Sequence, residues 1–178
     1  MIVTISGPIG SGKTTVCNLL SSRLNVPCVV SGHIFRQMAK ELKMSLAEFG
    51  RLAERDPKYD HELDERMVNI AREGKDIVLE GRLTAYMLQR HGIDAVKVYL
   101  DAPVDVRVRR VVERECQDLD TARDELLERE ECEATRYRQY YGIDIRDKSV
   151  YDLIIDTGAL RPEEVVERIV EAVRERYG

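Results

Sequence analysis

The chain has 178 residues, 34% of them charged, and a formal net charge of −5. That length suits one domain able to bury a core, and the acidic balance gives the surface no general attraction for nucleic acid or anionic lipid. No apolar run approaches the length of a membrane span, and the first one passes straight into a glycine loop rather than a cleavage site, which predicts a cytoplasmic protein with no membrane contact.

The first apolar segment, Ile2-Val3-Thr4-Ile5, reads as a buried strand. Directly after it, Gly7-Pro8-Ile9-Gly10-Ser11-Gly12-Lys13-Thr14, followed by Thr15, fills every fixed position of the phosphate-binding loop. The glycines let backbone N–H groups curl around phosphate oxygens, Lys13 supplies a mobile cation, and the Thr14 hydroxyl is placed to ligate Mg²⁺. Val16, Leu19, Leu20 and Leu24 mark one face of the next helix, whose N-terminus adds its positive dipole end. This strand, loop and helix together predict a nucleotide-phosphate binder.

Further strands are expected at Cys28-Val29-Val30, Ile77-Val78-Leu79, Val96 to Leu100 and Leu153-Ile154-Ile155. Five such segments alternating with amphipathic helices predict an α/β fold, a parallel sheet flanked by helices on both faces. Ser45-Leu46-Ala47-Glu48 opens one helix with a capping box, and another is expected from about Asp60 to Glu73, ended by Gly74. The last helix carries Val165, Val166, Ile169, Val170 and Val173 on its apolar face. Cys17, Cys28, Cys116 and Cys132 form no CxxC pair and stand beside no histidine, so they are expected as free thiols, with Cys17 a small packing residue and no zinc site. His33, His61 and His91 are scattered singly and read as structural or exposed.

The segment from Arg107 to Arg146 is rich in Arg and Glu and sparse in apolar residues such as Leu119, Leu126 and Leu127. It reads either as a solvated helical hairpin or, with a phosphate-binding loop in the chain, as an arginine-bearing lid over the phosphates. Phosphoryl transfer asks mainly for charge neutralisation and alignment. Lys13 would serve the donor's β- and γ-phosphates, while Arg36, Arg82, Arg107, Arg110, Arg129 and Arg136 are candidates for the acceptor phosphate and the transition state, since a guanidinium binds phosphate oxygens two at a time. Glu80, at the end of the third strand, is placed to hold Mg²⁺ through water beside Thr14.

Four segments in this order, Gly7 to Thr15, Ser31 to Arg36, Glu80-Gly81-Arg82-Leu83, and the run from Arg129 through Arg136-Tyr137 to Asp144, carry a resemblance. Over essentially its whole length the chain resembles the archaeal-type cytidylate kinases, a branch of the nucleoside monophosphate kinases within the P-loop kinase superfamily. The resemblance implies one P-loop kinase domain with an acceptor-binding segment near residues 31–75 and a lid near 107–146. It implies ATP and CMP or dCMP as substrates, Mg²⁺ as cofactor, and no obligate protein partner. By position it implies acceptor contacts from Ser31, Arg36 and Arg82, ATP contacts from the glycine loop with Arg107 and Arg110, and a set of Arg129, Glu133 and Arg136 returning over the phosphates, with Lys13, Arg129 and Arg136 catalytic. Two positions depart from the bacterial branch: Leu83 stands where an Asp follows the Gly-Arg pair, and Glu133 where the lid has an Asp. The bacterial scheme of base recognition therefore does not transfer.

Choosing cytosine over uracil requires a group that accepts a hydrogen bond from the exocyclic amine, which a carboxylate does well. Asp56, Asp60 and Asp64, spaced by four between the capping-box helix and the next, are the candidates, with Asp56 and Asp60 foremost. The alternatives are a P-loop kinase of another acceptor, such as AMP, UMP or a small-molecule hydroxyl, or a non-catalytic ATP-binding regulator.

Overall fold

In the computed structural model, which describes residues 1–178, β1 (Ile2–Ser6) lies at the centre of a five-stranded sheet. The strands are β2 (Cys28–Val30), β3 (Ile77–Glu80), β4 (Val96–Asp101) and β5 (Leu153–Asp156), in the order β2-β3-β1-β4-β5 and all parallel. Every residue of β1 is buried, as expected of a strand covered on both faces. Register aligns Ile5 with Glu80 on one side and Ser6 with Tyr99 on the other, so the polar last residues of neighbouring strands share one edge.

Eight helices surround the sheet: α1 (Lys13–Leu24), α2 (Ser31–Glu41), α3 (Leu46–Arg55), α4 (Lys58–Arg72), α5 (Thr84–Arg90), α6 (Val104–Glu115), α7 (Leu119–Tyr141) and α8 (Pro162–Tyr177). On one face, Val3, Ile5, Val98 and Leu100 pack against Val16 and Leu20 of α1 and the expected valine and isoleucine stripe of α8, in a cluster of 16 buried residues. On the other, Leu79 and Ile77 meet Met67, Val68 and Ala71 of α4 and Leu88 of α5, in a cluster of 12. Each such side chain contributes about 1.5–3 kcal/mol on burial. Two smaller clusters lie away from the sheet: Met38, Ala39 and Phe49 under α2 and α3, and Val108, Val111, Ala122 and Leu126 between α6 and α7. No helix is long and apolar enough to cross a membrane.

Two expectations are corrected. Cys17 and Cys28 are joined by a disulfide, because the first turns of α1 and the start of β2 bring their Cα atoms to 6.2 Å; only Cys116 and Cys132 are free. The helix expected from about Asp60 begins two residues earlier, after Pro57, so of the three aspartates placed between helices only Asp56 stands there, with Asp60 and Asp64 inside α4.

Candidate functional site

The site is built on the strand ends. The loop after β1 turns back under α1 through backbone that side chains cannot adopt: Gly10 has φ +80°, and a Cβ on Gly7 would stand 2.2 Å from the Leu100 carbonyl oxygen. Gly12 leads α1 with no side-chain cap, so the first N–H groups of the helix face the loop. Lys13 Nζ donates to the Pro8 carbonyl at 2.9 Å. Burial first, and the Arg82 guanidinium second, push its pKa down to about 8, against the pull of Glu80 and Glu133.

The Thr14 hydroxyl donates to Glu80 Oε2 at 3.2 Å, so the two residues expected to share a cation are in contact, one at the start of α1 and the other at the end of β3. A hydroxyl and a carboxylate oxygen side by side form a hard-donor set suited to Mg²⁺.

Arg107 and Arg110, both from α6, grip the loop itself. The buried Arg107 donates from Nε to the Ala102 carbonyl at 3.0 Å and from Nη1 to the Ile9 carbonyl, and pairs with Glu130. Arg110 Nη1 donates to the Gly10 carbonyl at 3.1 Å, and Nη2 to that of Thr157 at 2.8 Å. Beside it a cavity of about 430 Å³ opens between Gly12, Thr15, Arg110, Thr157 and Leu160.

A second groove, of about 400 Å³, lies between α2, α3 and α4 on one side and α7 on the other. Ser31, Asp60, Arg129, Glu133 and Arg136 all line it, which brings together five of the expected acceptor and lid residues from three separate helices. Arg82 reaches this region from the end of β3, donating to the Gly7 carbonyl and from Nε to Glu133 Oε2 at 2.7 Å. Its guanidinium thus links the phosphate-binding loop to α7.

The three aspartates differ. Asp56 caps the turn after α3, accepting from the Lys58 N–H at 3.0 Å, and does not line the groove. Asp64 accepts from the Tyr141 hydroxyl; burial outweighs that bond and pushes its pKa up to about 7. Asp60 is 7% exposed and faces the groove. Its Oδ2 lies 2.9 Å from Arg136 Nε, yet the angle misses hydrogen-bond alignment, and neither atom has a hydrogen-bond partner. Burial raises the Asp60 pKa, and Arg136 opposes the rise. Arg36 is the other expected residue left outside: α2 turns it to solvent, away from the groove lining.

Sequence reasoning assigned no role to Glu130, which holds Arg107, or to Thr157, whose hydroxyl donates to the Ser11 carbonyl at 2.9 Å. Glu130 and Glu133 stand three apart beside Arg129 and Arg136, and that spacing on one predicted helix was the available signal for the former. Thr157 has no motif around it.

Comparison with known proteins fits this geometry. Residues 2–159 match the cytidylate kinase-like family. The chain is 45% identical to a cytidylate kinase of Methanothermobacter thermautotrophicus, over 92% of this chain and 99% of that one. It is 44% identical to a cytidylate kinase of Methanococcus aeolicus, over 97% of each. Among solved structures, shikimate kinase of Bacteroides thetaiotaomicron superposes with a TM-score of 0.64 at 17% identity, 98% of each chain being covered, and the shared architecture is the P-loop kinase fold. With the match running from β1 past the end of β5 and the identity sustained across nearly the full length, this chain belongs to the cytidylate kinase-like family.

Proposed function

We propose that this protein transfers the γ-phosphoryl group of ATP to CMP or dCMP, giving ADP and the cytidine diphosphate. The observation that carries the proposal is the groove beside the phosphate-binding loop, which the largely buried Asp60 carboxylate lines in an ion pair with Arg136. A carboxylate oxygen accepts from the N4 amine of cytosine and repels the O4 of uracil. Asp60 is therefore the reader of the amine, in preference to Asp56 and Asp64, whose oxygens are used elsewhere.

ATP would lie with its phosphates in the loop of Gly7 to Thr15, against Lys13, and its base toward the cavity beside Arg110. Thr14 and Glu80 would hold Mg²⁺, which supplies neutralisation of the β- and γ-phosphate charge when bound. Ser31 and Arg82 are assigned to the acceptor phosphate, and Arg129, exposed at the groove, to the transferring group. Arg136 is assigned to the same face through its Nη atoms. Arg36 would join only if α2 moves. The acceptor's second phosphate pKa lies near 6, so its attacking oxygen is ionised at neutral pH and no general base is needed. Residues 31–75 then form the acceptor-binding segment and 107–146 the lid.

A coupled assay of ADP release against CMP, dCMP, UMP, AMP and shikimate tests the reading. CMP and dCMP should be preferred, and preference for another acceptor, or no turnover, overturns it. Asp60→Asn should lower the CMP-over-UMP ratio of kcat/KM by roughly tenfold or more, the worth of one good base contact. Asp56→Asn and Asp64→Asn should leave the ratio as it is.

A further inference from the structure

Gly50 sits in the middle of α3, where glycine weakens a helix relative to alanine, and its backbone is ordinary helix with no positive φ to require it. A Cβ placed there would meet nothing within 4 Å, so neither tight packing nor strain accounts for the glycine. The open space is the acceptor groove, which Gly50 lines with Ala53 one turn later. Opposite stand Arg136 and Tyr137 of α7, and the groove is also lined by the buried Asp60 carboxylate, ion-paired with Arg136. Behind Gly50 the wall is aromatic: Phe35 packs on Phe49 at 4.5 Å between ring centroids, and Phe49 on Tyr59 at 5.2 Å.

We infer that Gly50 is a specificity-determining residue that keeps a slot open for the flat ring of the acceptor base, so that the ring rests on the bare backbone of α3 while its polar edge meets Asp60. This rests on the proposed reading of the groove as the acceptor site, and it assigns the size limit to α3 and the hydrogen-bond choice to α4. A side chain at position 50 would project into the space the ring takes. The glycine thus trades helix stability for room.

Purified Gly50→Ala, Gly50→Leu and Arg55→Leu, the last adding apolar bulk at an exposed position of α3 outside the groove, test the inference against the wild type. Gly50→Ala should raise Tm by about 2–4 °C while increasing the KM for CMP. Gly50→Leu should raise the KM for CMP roughly tenfold or more, the penalty expected of overfilling a site. The KM for ATP should stay unchanged in both, and Arg55→Leu should leave both KM values alone. An unchanged KM for CMP in the folded variants overturns the inference; if Gly50→Leu does not fold, the paired Tm and KM changes of Gly50→Ala decide. A wild type that uses another monophosphate instead of CMP sinks the cytidylate reading alone, and the slot is then judged by that acceptor's KM. A wild type using no monophosphate overturns both.

Discussion

The Lys13 ammonium rests on the Pro8 carbonyl, half-buried and beside Arg82, and desolvation together with that neighbouring charge holds its pKa at about 8. Between that value and the unfolded value of 10.5 the unfolded chain binds more protons, so this group makes stability rise with pH across that window. Phosphate oxygens reverse the preference by favouring the charged form. ATP binding near pH 8.5 should therefore take up a fraction of a proton, measured by calorimetry in buffers of different ionisation heat, and the uptake should vanish in Lys13→Met. That variant should also lose about 10²–10³ in kcat. Asp64 has the opposite linkage. Its pKa of about 7 lies above the unfolded 3.8, so the native state holds the proton longer and stability falls as pH rises through that interval. The groups around it are Tyr141, Asp60 and Arg136. Asp64→Asn should flatten the difference in urea midpoint between pH 5 and pH 8; an unaltered difference excludes Asp64 as its source.

At the scale of elements, the Cys17–Cys28 bridge ties α1, which begins at Lys13, to β2, which leads directly into Ser31. Closing a separation of 11 residues removes unfolded-state entropy worth about 2.8 kcal/mol. Reduction, or the Cys17→Ser/Cys28→Ser pair, should then lower Tm by about 5–10 °C, and the double variant should no longer respond to reductant. Equal Tm values with and without reductant rule the bridge out as a stabiliser. Sequence could not show it, because the pairing depends on where α1 crosses β2. The strands, by contrast, were legible from their apolar runs: β2 matches its run, and Ser6, Glu80, Asp101 and Asp156 extend β1, β3, β4 and β5 past theirs by one polar residue. Apolar periodicity stops at such residues, and they form the edge where the site is built. The capping box at Ser45 and Glu48 was equally plain, since both of its bonds lie within four residues. Asp60 beside Arg136 was not, since α4 and α7 meet only in the fold.

Over the whole molecule, the apolar cores are unequal and the site lies between them. The two large clusters clamp the central sheet, whereas α2 with α3, and α6 with α7, rest on clusters of 3 and 4 buried residues. Local opening costs least where few apolar contacts must break. The phosphate-binding loop is thus carried by the stable part, and the groove proposed for the acceptor and the arginine hairpin by the parts that open most readily. The hairpin is nevertheless tied inward by Arg82 to Glu133 and by Arg107 to the Ile9 carbonyl, and Arg107 with Glu130 joins its two helices. Phosphate oxygens would compete with these carboxylates for the same guanidinium groups, so nucleotide binding should exchange one set of ties for another rather than simply add contacts. Hydrogen exchange followed by mass spectrometry should find β1, β3 and β4 slowest, with residues 41–56 and 115–130 fastest in the free protein. ATP alone should protect the glycine loop and α1. Protection of α3 and the middle of α7 should require CMP together with a non-hydrolysable ATP analogue, because only then are both walls of the groove engaged. Uniform exchange across sheet and hairpin in the free protein would refute the division of stability, and full protection of α3 by the ATP analogue alone would place the acceptor groove elsewhere.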